Sequence, residues 1–82
     1  MHELAIAQSV LKSVQAEAKR YPGTSAVKVG VRIGEWSGVN PDALTFGFEA
    51  LTKGTEWEQL MLEVESCPGG ELELAYLELE ES

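Results

Sequence analysis

Cysteine, histidine, positive charge and long apolar runs are all scarce in this chain, and each scarcity removes a class of protein. Cys67 is the one cysteine among 82 residues. An intramolecular disulfide framework and a thiolate zinc cage are therefore both excluded, and a single thiol fits a reducing compartment. Six Lys and Arg face 14 Asp and Glu, for a formal net charge of −8. So acidic a surface repels phosphate backbones, and no nucleic-acid partner is expected. Most of these carboxylates serve solubility, and what remains is attraction to cations or to a basic protein surface. No apolar stretch approaches the roughly 20 residues of a membrane span. "LAIAQSVLKS" is too polar for a secretory leader and lacks a basic lead-in. No membrane association is expected, and the expected location is the cytoplasm. A Gly-rich phosphate loop, a nucleophile–histidine motif and paired cysteines are all missing, so no enzyme class has a constellation behind it.

What is present describes one small domain, residues 1–82, with 44% apolar residues. Leu4, Ala7, Leu11, Val14 and Ala18 recur at three and four residues, the stripe of an amphipathic helix. "YPGTS" stops that helix near Arg20, and Lys19 and Arg20 suit its negative end. Val27, Val29, Val31 and Ile33 alternate with Lys28, Gly30 and Arg32 as in a half-buried strand. Asn40 and Pro41 then supply an N-cap and a first helical residue. The second helix carries Leu44, Phe48 and Leu51 as its stripe and stops at Gly54, and Phe46 and Phe48 are both expected in the core. Leu60, Leu62 and Val64 mark a second strand and "ELELAYLELEE" a third. In the third, the apolar phase moves from Leu72 and Leu74 to Leu77 and Leu79, which calls for a bulge or a change of covered face.

The resulting fold class is α/β in the α+β, two-layer sense: two helices packed on one face of a three-stranded mixed sheet. The helix between the first two strands allows them to be parallel neighbours. The short "CPGG" link suggests that the last two pair as an antiparallel hairpin. Trp36 and Trp57 either pack partly into the core or form an exposed docking pair. The last strand is a solvated acidic face or an edge that exchanges between protomers, leaving a monomer or a strand-exchanged homodimer.

His2, the sole histidine, is either an ordinary surface residue or part of a metal site made from the chain terminus. The Met1 α-amine, the His2 amide nitrogen and the His2 imidazole can close two fused chelate rings. A tetragonal, nitrogen-rich set of that kind suits Ni(II) or Cu(II). Its formation releases protons, so binding strengthens as pH rises. The Glu3 amide, the Glu3 carboxylate or a group from the loop after the first strand could complete it. Glu35 and Asp42 flank that loop as solvated carboxylates or as outer acceptors for His2.

"MHELAIAQSV", "VRIGEWSGVNPDALTFGFEALTKGT" and "ELELAYLELE", in that order, resemble the HypA/HybF family of nickel-insertion accessory proteins for [NiFe]-hydrogenase maturation. The resemblance covers nearly the whole chain and is most specific from Ile33 to Thr55. It implies a two-helix, three-stranded fold, an Ni(II) site at Met1, His2 and Glu3, and a metallochaperone rather than an enzyme. The partners it implies are a maturation GTPase and the hydrogenase large-subunit precursor. The alternative is a metal-independent scaffold or regulator in the same maturation. Members of the family carry a zinc module with two Cys-x-x-Cys pairs between the last two strands. Here that insertion is absent near 66–70, Cys67 and Pro68 stand at the join, and no structural zinc is expected. Asn40 falls where homologues often have aspartate. It is expected to act first as a helix N-cap and otherwise as a hydrogen-bonding orienter of a ligand.

Overall fold

The computed structural model describes residues 3–81. Helix α1 spans Glu3–Ala18 and buries Ala7, Val10 and Val14. The buried line is thus one step away from the expected stripe: Val10 is covered, Leu11 is half-buried and Leu4 is exposed. Small residues set this contact. Gly47 of the second helix lies so close that a β-carbon there would stand 3.8 Å from the Leu4 Cα and 4.0 Å from the Ala7 Cβ. Lys19 and Arg20 fall just past the helix, in the turn closed by Arg20 N–H to Glu17 and Tyr21 N–H to Ala18.

Strand β1, Thr24–Gly34, is the centre of the sheet, whose order is β2-β1-β3. Helix α2 is Pro41–Thr52, β2 is Met61–Cys67 and β3 is Leu72–Glu81. β1 runs parallel to β2, with Val29 beside Leu62 and Val31 beside Val64. It runs antiparallel to β3, with Val29 beside Leu77 and Val31 beside Leu74. The mixed sheet and the parallel neighbours match the sequence expectation, but the hairpin does not. β2 and β3 occupy opposite edges, each paired with β1. Two strand spacings are about 10 Å, a gap that residues 68–71 can span at about 3.5 Å each. A short link therefore does not require adjacent strands. β1 is also the more apolar partner, offering Val29, Val31 and Ile33 to both neighbours.

The phase change in β3 is a bulge. Gly30 faces Tyr76 and Val31 faces Leu74, so Ala75 is the extra residue, and a second irregularity at Val27 skips one residue of β1. The core beneath the helices contains Val29, Val31, Ile33, Leu44, Phe48 and Leu60 with the α1 residues, and Trp57 packs against its margin. Phe46 is not part of it. The residue is 74% exposed, whereas Phe48 is fully buried. At 100° per residue Phe46 points about 200° away from both Leu44 and Phe48. Trp36, in the connection after β1, is 85% exposed, so the two tryptophans share neither fate nor surface.

Candidate metal centre

Of the expected nickel ligands, Met1 and His2 lie outside the described residues. Glu3 is described, and its surroundings are informative. The residue sits in the first turn of α1, and its Oε2 accepts a hydrogen bond from the backbone N–H of Asn40 at 3.1 Å. Asn40 in turn opens α2. Its Oδ1 accepts from Ala43 N–H at 3.1 Å and its carbonyl from Leu44 N–H at 3.0 Å. The N-cap expected from "NPD" is therefore formed, with Pro41 in the first helical turn. Asn40 does meet Glu3, but through its main chain, because its side-chain oxygen is engaged in capping.

The two helix N-termini are thereby tied together. Each presents the positive end of a helix dipole, which stabilises a nearby carboxylate. Glu3 lies in the first turn of α1 and Asp42 in the first turn of α2. Any cation held beside them needs anionic donors, a role that deprotonated amide nitrogens can fill.

The segment before Asn40 is held from the other side by the β2–β3 crossover. Gly34 N–H donates to Glu71 O at 2.7 Å, Glu35 N–H to Cys67 O at 2.8 Å and Trp36 N–H to Gly69 O at 2.9 Å. Gly34 is required here, because a β-carbon would lie 2.3 Å from the Gly69 carbonyl oxygen. Ser37 Oγ then accepts from Val39 N–H at 3.2 Å. A backbone chain thus runs from the crossover, through the end of β1, to Asn40 and Glu3. Neither the crossover contacts nor the Glu3–Asn40 bond was visible in the sequence, since both join residues more than 30 positions apart. The GEW and GG glycines were their one local trace.

Glu35 and Asp42 are exposed. Among the described residues no group of three His, Cys, Asp or Glu side chains is gathered closely enough to hold a metal ion. Cys67 is a free thiol, half-buried at the end of β2. No helix among the described residues is long and apolar enough to cross a membrane.

Fold and site together define a small α+β domain whose two helix starts are tied together by the Glu3–Asn40 bond. The structure superposes on the solution structure of the Ni metallochaperone HypA from Helicobacter pylori with a TM-score of 0.82 at 17% identity, over the whole of both chains. A second solution structure, titled as HypA protein, gives 0.77 at 18% identity over 96% of each. At these identities the likeness is one of fold. The sequence carries the assignment further. The family described as "Hydrogenase/urease nickel incorporation, metallochaperone, hypA" matches residues 1–71, and the chain belongs to that family. The hydrogenase maturation factor HypA of Picosynechococcus sp. is 44% identical over 68 residues, 83% of this chain and 60% of that protein. The factor of the same name from Methanopyrus kandleri is 42% identical over 65 residues, 79% of this chain and 46% of that protein. The chain thus spans about half to three-fifths of the length of these curated relatives. The class is that of a maturation factor, not of an enzyme.

Proposed function

We propose that this domain carries Ni(II) at its N-terminus and passes it to the large-subunit precursor of a [NiFe]-hydrogenase, in concert with a maturation GTPase. Nickel is cargo in this scheme. The donors are the Met1 α-amine, the His2 amide nitrogen and the His2 imidazole, with the Glu3 amide nitrogen as fourth ligand. The observation that carries the scheme is the bond from Asn40 N–H to the Glu3 carboxylate. With that oxygen engaged, the carboxylate serves to fix the start of α1, and the amide is the better placed donor. In this scheme the Glu3 N–H, in the first turn of α1, is among the protons released on binding. Asn40 is the positioning residue, and exposed Glu35 contributes through the loop, orienting the imidazole from outside. The single thiolate of Cys67 cannot hold a structural zinc. Capture is therefore assigned to the N-terminus alone, in a chain without that module near 66–70.

The family match over residues 1–71 and the convergence of the helix starts support this scheme. Calorimetric Ni(II) titration with absorbance spectra tests it on three proteins: one with a free Met1 amine, one extended by a few residues ahead of Met1, and His2→Ala. The expected result is tight binding with a planar, nitrogen-rich spectrum in the first only, strengthening as pH rises. Glu3→Gln should keep that spectrum and lose less than tenfold in affinity. Equal binding by all three proteins, or by none, overturns the N-terminal site and leaves the domain a metal-independent scaffold.

A further inference from the structure

The outer edge of β3 combines features that the nickel scheme does not use. Among the described residues no strand pairs with this edge. Paired side chains across a ladder share a face. Leu72 and Leu74, which face Ile33 and Val31, therefore lie on the helix side of the sheet. Yet they remain 39% and 42% exposed while their β1 partners are buried. Beside them a groove runs between β3 and α1, walled by Ser13, Glu17 and Tyr21 against Leu74, Leu77 and Leu79. On the opposite face the same strand presents Glu73, Glu78 and Glu80. Its inner edge already takes a strand of matching chemistry. Val29 and Val31 lie beside Leu77 and Leu74, while Arg32 reaches Glu73 at 3.1 Å and Lys28 reaches Glu78 at 3.8 Å.

We infer that the outer edge of β3 docks an extended partner segment in which Lys or Arg alternates with aliphatic residues. Main-chain hydrogen bonds to the edge supply affinity, the aliphatic residues cover Leu72 and Leu74, and the cations meet the carboxylate row. A second copy of this chain is the poorer occupant, because β3 against β3 sets carboxylates against carboxylates. β2 is the poorer edge. It has seven residues against ten, and on its helix side Leu62 and Val64 are already packed against the core. The groove end of this edge is set apart from the start of α1, since Ser13 on its wall lies ten residues, about 15 Å, along the helix from Glu3.

The test uses the full chain, isotope-labelled, titrated with a blocked ten-residue peptide of alternating valine and lysine or arginine. Its control is the same peptide with glutamate in place of the cations. The expected result is shifted or protected amides from Leu72 to Glu81 and not in β2, with binding that weakens in salt and is unchanged in His2→Ala. Leu74→Lys, checked for folding by circular dichroism, should weaken binding about tenfold. Glu80→Lys, which alters charge without entering the helix side, should weaken it about threefold. Several results would overturn the inference: equal binding of the acidic peptide, shifts confined to β2, no shift at millimolar peptide, or a dimer of this chain that Leu74→Lys dissociates.

Discussion

The two faces of the sheet are built by the same three strands but are held in different ways. On the covered face Val29, Val31 and Ile33 are buried beneath Leu44, Phe48 and the α1 residues. On the open face Lys28 and Arg32 stand in the middle strand with carboxylates on either side. Lys28 lies 3.9 Å from Glu63 and 3.8 Å from Glu78, while Arg32 lies 3.3 Å from Glu65 and 3.1 Å from Glu73. Between them the Tyr76 ring crosses Gly30, where no β-carbon blocks it, and its hydroxyl donates to Glu63. The covered face supplies most of the stability through apolar burial. Exposed ion pairs contribute little energy, but they specify register. A one-residue slip would turn every side chain to the other face and bring these charges into the core.

The largest expected effect falls on the covered face. Phe48→Ala empties a fully buried position and should cost about 3–5 kcal/mol in urea unfolding, enough to unfold much of so small a domain. A second strong effect is expected where the faces meet at the end of β1. Gly34→Ala sets a β-carbon against the Gly69 carbonyl and should cost about 1–3 kcal/mol, while also loosening the crossover. Asn40→Ala removes the α2 cap and should cost about 1 kcal/mol. By contrast, Phe46→Ala, two residues from Phe48, should change unfolding by less than about 0.5 kcal/mol.

The open face should reveal itself through pH rather than through a large loss. The bond to Glu63 holds the Tyr76 hydroxyl in its protonated form and pushes its pKa from 10.0 up to about 12. The folded chain then binds this proton more tightly than the unfolded chain. The associated stability is fully present below pH 10 and is lost as pH rises towards about 12. Spectroscopic titration in a Tyr21→Phe background should show the raised tyrosine transition. Glu63→Gln should bring it back towards the ordinary value, and Tyr76→Phe should remove the alkaline loss from melting curves. A tyrosine that titrates normally in the folded chain would reduce the open face to independent surface charges.

Local pattern was enough for the elements. The alternation in "AVKVGVRIG", the cap in "NPD" and the phase change in "ELELAYLELEE" each state a backbone geometry within a few residues. The corresponding strand, helix start and bulge at Ala75 are all present. The helix stripes were legible to within one position. Leu4 falls outside the covered line, while Leu11 packs at the core's margin, because a stripe names an apolar side but not which part of it the neighbouring helix covers. Phe46 is as apolar as Phe48, but its angle on the helix turns it outward, so apolar character alone does not place it in the core.

The sequence by itself determined the two helices, the three strands, the charge of the exposed surface and membership in a nickel-incorporation family. Periodicity, caps and a specific run of residues are local properties and can be read along the chain. Only the tertiary structure decided that β1 is central, that β2 and β3 take opposite edges, and that Glu3 meets Asn40. Those outcomes depend on which surfaces compete for the same partner. A short link such as residues 68–71 permits either strand order, and burial of Val29, Val31 and Ile33 between two neighbours selects one.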